Sequence, residues 1–137
     1  YGSRFKKSGM QVHRTYHYFI NRFLTLFSNL LSGLYLTDME TCYKACRADI
    51  FKNLKLHSPS FGFEVELTSH LAGLRVRVLE IPVNYFPRNY IEGKKISWRD
   101  GVAAIWHILY FNIFMKDGDR FNSLMPEKYR TSGPQWL

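Results

Sequence analysis

Charged and polar side chains that could do chemistry gather in four short stretches of this chain. They are Gly2-Ser3-Arg4, Asp38-Met39-Glu40-Thr41-Cys42-Tyr43-Lys44, Phe61-Gly62-Phe63-Glu64-Val65-Glu66, and Arg88 through Gly93-Lys94-Lys95-Ile96. The formal charge is +8, unevenly placed: Arg4, Lys6, Lys7, Arg14 and Arg22 all precede the first acidic residue, Asp38. Arg88, Lys94, Lys95 and Arg99 form a second basic group relieved only by Glu92. Such patches favour an anionic partner: a phosphorylated ligand, acidic lipid headgroups or nucleic acid. A lone Asp in a turn-rich segment, such as Asp38, can serve simply to cap the turn. Glu64 and Glu66 lie two residues apart, about 200° around a helix, so they cannot serve one site together. Glu66 is expected on the solvent side.

Other ligand-bearing residues point to no metal centre. His13 and His17 have the four-residue spacing of a helical metal pair, but no third ligand of suitable spacing accompanies them. Cys42 and Cys46 have no matching second pair, which argues against zinc and against a disulfide framework, and suits a reduced cytosolic setting. Asp117-Gly118-Asp119 reads as a solvated turn. Neither an RNP-like aromatic motif nor a zinc-finger pattern is present, and no nucleic-acid partner is expected.

These residues need elements to hold them. At 137 residues, 46% hydrophobic and 22% charged, the chain suits one compact folded domain. Apolar positions from Met10 to Leu34 recur every three or four residues (Val12, Tyr16, Phe19, Ile20, Phe23, Phe27, Leu30, Leu31, Leu34), predicting an amphipathic helix that ends near Gly33. A turn around Thr37-Asp38-Met39-Glu40 follows, then a short strand from Cys42 to Cys46 and one or two helical turns from Asp49 to Leu54. Phe61 to Leu74 predicts a helix with Phe63, Leu67, Leu71 and Leu74 on one face. Arg75 to Tyr85 reads as a strand that Pro82 confines to an edge or bulge. Pro87 to Lys95 reads as a charged loop. Trp98 to Met115 predicts another amphipathic helix, with Trp98, Val102, Ile105, Leu109 and Ile113 in register. Its stripe suits a core-facing helix and an interfacial one alike.

The expected fold class is α/β, with long amphipathic helices and two or three strands. That is too few strands for a complete sheet, an internal sign of a fragment. Residues 1–115 are expected to form the folded portion and 116–137 a polar, irregular tail. No signal peptide is expected at Tyr1-Gly2-Ser3-Arg4, and no apolar run reaches the roughly 20 residues of a transmembrane helix.

In order and spacing, the four stretches resemble the second half of family-two glycosyltransferases that act on polyprenyl phosphates. The resemblance runs through Gly2-Ser3-Arg4, a long helix with Asn21-Arg22, an Asp-x-x-Thr-x-aromatic-Lys stretch from Asp38 to Lys44, the Phe-x-Phe-Glu of Phe61 to Glu64, and a strand leading to Arg88 and Gly93-Lys94. It covers Tyr1 to about Phe114. It implies the C-terminal part of a GT-A (Rossmann-like) domain, a UDP- or GDP-linked sugar donor, a polyprenyl-phosphate (dolichyl or undecaprenyl) acceptor, and Mg²⁺ or Mn²⁺ in the complete enzyme. It implies that Asp38 occupies the catalytic-base position and that Arg4, Arg22, Lys44, Arg88 and Lys94 hold phosphate or acceptor. Trp98 and Trp106 would mark a helix lying on the cytosolic face of a membrane, making the protein peripheral. Two departures stand out. Cys42 replaces a common glycine, and the one Asp-x-Asp, Asp117-Gly118-Asp119, lies in the tail rather than ahead of Gly2-Ser3-Arg4, so metal ligands and the donor-binding strands are expected to lie outside this chain. The alternative is a non-catalytic membrane-surface or polyanion-binding module.

Overall fold

The computed structural model describes residues 1–6, 15–59, 62–84 and 98–130. Its elements run β1 (Gly2–Ser3), α1 (Thr15–Ser32), α2 (Ala48–Phe51), α3 (Gly62–Ala72), β2 (Ile81–Pro82), α4 (Trp98–Leu109), a π-helical turn (Tyr110–Phe114), α5 (Asp117–Arg120) and a 3₁₀ turn (Glu127–Tyr129). The result is a small, largely helical α/β domain with one short parallel two-stranded sheet.

Helix α3 is the axis of the packing. On one side Val65 joins Leu24, Leu36, Met39, Ala104, Ile108 and Phe111. On the other, Leu67 and Leu71 join Ile50, Leu54, Leu74 and Met125. Every residue from Glu64 to Ala72 is buried, so the single apolar face expected for this helix does not exist. A helix covered all round needs no polar stripe, but each buried polar group then needs a partner.

Glu66 therefore departs from the expected solvent position. Its carboxylate is fully buried and accepts from the backbone N–H groups of His57 (3.0 Å) and Ser58 (2.7 Å), with His57 Nδ1 at 3.2 Å. It supplies the acceptor that the turn before α3 lacks. The expectation that Glu64 and Glu66 serve different places holds, since Glu64 pairs instead with Lys44.

Helix α1 ends where expected: Gly33 takes φ +73°, the left-handed conformation that favours glycine, and its N–H returns to Asn29 O at 2.9 Å. Asn29 then clasps the next loop through both Leu36 backbone groups. Residues 10–14 of the expected helix lie outside the described residues.

The expected strands shrink. Cys42–Cys46 forms none, because Lys44 N–H folds back to Cys42 O at 3.2 Å and interrupts any ladder. The stretch expected from Arg75 to Tyr85 is strand only at Ile81–Pro82 within its described part. Parallel pairing sets Gly2 against Ile81 and Ser3 against Pro82, with Ile81 N–H and Val83 N–H donating to Tyr1 O and Ser3 O. Pro82 falls between these two donors, where its missing N–H costs no bond to β1. Gly2 N–H turns the other way, to Tyr43 O at 2.6 Å. A Cβ on Gly2 would lie 2.7 Å from Val83 Cγ1 and 2.8 Å from Tyr43 Cβ, so only glycine fits between the two segments.

The helix expected from Trp98 to Met115 widens at its end. Met115 N–H bonds to Tyr110 O at 3.0 Å, one residue farther than in an α-helix. Phe111 O is thereby released, and accepts from Ser69 Oγ at 2.8 Å and from Arg120 Nη2. Residues 116–130, expected to be an irregular tail, form two short turns instead. They dock through Arg120, buried Met125 and antiparallel bridges Leu54–Phe121 and Leu74–Arg130.

Glu66→Ala would leave the His57 and Ser58 amides without their acceptor and open a polar void beside α3. Urea unfolding is expected to show a loss of about 3 kcal/mol; a loss below about 1 kcal/mol would mean that solvent replaces the carboxylate there.

Candidate functional site

The turn Thr37–Thr41 is gripped from five directions. Its entry is held by Glu80, whose Oε1 accepts from Thr37 N–H (2.8 Å) and Asp38 N–H (3.2 Å), while Oε2 accepts from Thr37 Oγ1 (2.9 Å). Thr25 Oγ1, on the buried face of α1, accepts from Met39 N–H at 3.1 Å. Arg22 Nη1 donates to Thr37 O at 3.1 Å. From the far side, Lys44 Nζ donates to Met39 O at 2.9 Å and to Thr41 O, and its third partner is the Glu64 carboxylate. The fifth grip is on Asp38 itself.

Asp38 is fully buried, and Arg4 occupies both of its oxygens. Arg4 Nε donates to Oδ2 and Nη2 to Oδ1, each at 2.7 Å, and Arg4 backbone N–H adds a third bond to Oδ2 at 2.9 Å. A planar guanidinium matched to a carboxylate in this way is a strong, orienting contact. Beside it, Ser3 Oγ lies 2.6 Å from Thr37 Oγ1 and also accepts from Phe5 and Lys6 N–H. Gly2-Ser3-Arg4 and Asp38-x-x-Thr41, 34 residues apart at their key positions, are thus two sides of one structure.

Of the expected phosphate-holding residues, Arg4 and Arg22 come together here. Both guanidinium carbons lie over the Phe5 ring, at 5.6 and 5.9 Å, and Arg22 is exposed. Lys44 faces inward with a side chain only 5% exposed, and burial pulls its ammonium below the ordinary lysine value against the pull of Glu64. Arg88 and Lys94 lie outside the described residues.

Two carboxyls of the site, Glu40 and Glu80, are not among the residues expected to act there. For Glu80 a signal existed in the sequence: Val76, Val78 and Glu80 alternate inward while Arg75, Arg77 and Leu79 are exposed, so period two carries Glu80 inward with the valines. Glu40 carried no such signal. It is half-buried, with Oε1 enclosed and without a hydrogen-bond partner. Burial, reinforced by Glu64 and Asp38 and opposed by Lys44 and Arg4, pushes its carboxyl up to about 7.

A divalent cation does not fit this donor set. Asp38 is spent on Arg4, Glu64 on Lys44 and Glu80 on backbone amides. Among the described residues no group of three or more His, Cys, Asp or Glu is arranged to hold a metal.

The two amphipathic helices each turn part of their apolar surface outward. On α1, Leu24, Thr25 and Ser28 face the core while Phe19, Phe23, Leu26 and Leu30 are exposed. On α4 and its π-turn, Ala104, Ile108 and Phe111 face inward, and Trp98, Val102, Trp106 and Ile113 outward. Arg99 lies over the Trp98 ring at 5.8 Å. No helix among the described residues is long and apolar enough to cross a membrane.

Over 84 residues the chain is 33% identical to an undecaprenyl-phosphate mannosyltransferase of Micrococcus luteus. The similarity is partial. It covers 59% of this chain and 35% of that protein, so the chain spans about a third of its relative's length. No protein-family model and no solved structure matches the chain. The chain thus bears a distant resemblance to a bacterial polyprenyl-phosphate sugar transferase.

The raised Glu40 carboxyl has a definite effect on stability. Its folded-state value lies above its ordinary value of 4.5, so the folded chain binds this proton more tightly than the unfolded one. The resulting stabilisation is full below the ordinary value and is lost as pH rises through about 7. Denaturant unfolding at about pH 5 and about pH 8 is expected to show a decline in wild type that is smaller in Glu40→Gln. Equal declines would mean that Glu40 ionises as freely as in the unfolded chain.

Proposed function

We propose that this chain is the acceptor-side part of a GT-A glycosyltransferase that moves a hexose from a UDP- or GDP-linked sugar to a polyprenyl phosphate at the cytosolic membrane surface. The observation that carries the reading is the convergence of Gly2-Ser3-Arg4 with Asp38-x-x-Thr41 in a bidentate ion pair. Separate sequence motifs have reason to meet in this way when they build one site. The partial identity to a mannosyltransferase supports the same reading.

In this proposal Asp38 orients rather than deprotonates. Its oxygens are filled by Arg4, and a phosphate acceptor is already a nucleophile near neutral pH. Asp38 fixes the Arg4 plane, and Arg4 and Arg22 present guanidinium groups to acceptor or donor phosphate. Arg88 and Lys94 are proposed to add to that basic surface. Lys44 is assigned to holding the turn, because its ammonium is engaged by two carbonyls and Glu64. Mg²⁺ or Mn²⁺ in the complete enzyme would neutralise the leaving diphosphate, with ligands from outside the described residues.

The exposed apolar faces of α1 and α4 supply the membrane contact. Tryptophans at 98 and 106 with Arg99 beside them suit the headgroup boundary, where aromatic bodies are buried and cations reach anionic lipid.

Two measurements test the proposal. The protein joined to a donor-binding half, given UDP- or GDP-sugars, Mg²⁺ or Mn²⁺ and polyprenyl phosphate, is expected to transfer sugar. Asp38→Ala should then lower the rate about 100-fold at every pH, as for a misplaced phosphate clamp. A loss confined to one limb of the pH profile would restore Asp38 as a base, and full activity in the variant would remove it from the site. Separately, Phe23→Glu with Trp106→Glu is expected to weaken sedimentation with anionic vesicles about tenfold or more. Unchanged sedimentation would place the membrane contact elsewhere. Vesicle binding without transfer by any joined protein would favour the non-catalytic surface module.

A further inference from the structure

Among the charged groups around the Thr37–Thr41 turn, the carboxyls of Asp38, Glu40 and Glu64 share the two cations Arg4 and Lys44, and the three are not equivalent. Asp38 is saturated by the Arg4 guanidinium and amide. Glu64 is paired with the buried Lys44 ammonium. Glu40, in the same turn, lies within the electrostatic reach of all four of these groups, yet its enclosed Oε1 has no hydrogen-bond partner. Among these five groups, full ionisation leaves one negative charge in excess, on the carboxyl least able to disperse it. The charge conflicts with a site meant for an anion.

We propose that Glu40 is the proton-exchanging group of this site, taking up one proton when a phosphate monoester docks against the Arg4–Arg22 surface. The idea rests on the phosphate-acceptor reading above and deepens it. A phosphate brought close to the turn adds negative charge beside Glu40, which favours its neutral acid form. Protonation removes the excess charge and turns the carboxyl from an acceptor into a hydrogen-bond donor. By linkage, the same coupling makes phosphate bind more tightly wherever Glu40 is already protonated. Because burial already holds this carboxyl at about 7, the exchange falls in the neutral range, above the second ionisation of a phosphate monoester at about 6. The charges that set the response are those acting on Glu40: Lys44 and Arg4 hold its proton affinity down, and Glu64 and Asp38 raise it. No bond is made or broken in this step. A proton moves from solvent to the Glu40 carboxyl.

Calorimetry of this chain with inorganic phosphate and with geranyl phosphate tests the idea, since it needs no donor half. Titrations at about pH 7.5 in two buffers of different ionisation enthalpy count the protons taken up. Wild type is expected to take up about half a proton or more per ligand beyond Glu40→Gln. Its affinity should fall up to about tenfold per pH unit above neutrality, with a flatter profile in the variant. Carboxyl NMR of labelled wild type gives a readout independent of any variant: the Glu40 resonance should titrate near neutrality and shift to higher pH with ligand. Binding of geranyl phosphate but not inorganic phosphate would identify a lipid-borne monoester as the ligand, while equal binding would identify the phosphate group alone. Equal proton counts in wild type and variant, a Glu40 resonance unmoved by ligand, or no binding of either phosphate would overturn the proposal. The sugar-transfer assay stands apart from these measurements, so transfer without proton uptake would refute Glu40 and leave the transferase reading standing.

Discussion

The Asp38–Arg4 ion pair is the contact on which the rest of the site depends. A fully buried carboxylate is tolerable only if its oxygens are filled, and Arg4 fills them with two side-chain bonds and one amide bond. To reach Asp38, Arg4 must leave the sheet at a fixed angle. That angle comes from the parallel pairing of Gly2-Ser3 with Ile81-Pro82 and from the passage of Gly2 between Val83 and Tyr43. A β-strand only two residues long contributes little stability by itself. Its value lies in bringing a distant guanidinium to the Thr37–Thr41 turn.

The buried polar groups of α3 follow the same logic. Thr68 Oγ1 donates to Glu64 O and accepts from Tyr1 Oη; Ser69 reaches the carbonyl released by the π-turn; Glu66 closes the loop at His57 and Ser58. Each ties α3 to a different segment, so the central helix specifies how its neighbours sit as well as burying them. His70 completes the set. Its Nε2 lies 3.0 Å from Lys55 O, burial lowers its proton affinity, and its ring stands edge-on to Phe111 and Phe121.

Against this tightly partnered interior stand the outward faces of α1 and α4. Large aromatic and aliphatic side chains there are exposed in numbers that ordinary solvation does not favour. The two halves of the functional reading therefore come from opposite kinds of surface. The site is polar and densely hydrogen-bonded, while the helices carry apolar side chains that stay exposed among the described residues.

Much was legible in the sequence by itself. The order of the short motifs carried a distant resemblance to a bacterial polyprenyl-phosphate sugar transferase; apolar spacing located α1, α3 and α4, and Gly33 marked the end of α1. These features depend on local geometry, which a linear pattern records directly. The places of Glu66 and Lys44 were not legible, because burial depends on what arrives from elsewhere: amides at 57 and 58 for one, carbonyls and Glu64 for the other. The strand expected at Cys42–Cys46 failed for the same reason, since its composition suits a strand but its backbone turns inward at Lys44. Only the tertiary structure decided that Asp38 is saturated and Glu40 is not. Two carboxyls two residues apart look alike in a sequence, and they differ here because a guanidinium from the end of the first strand reaches one of them and leaves an oxygen of the other enclosed without a hydrogen-bond partner.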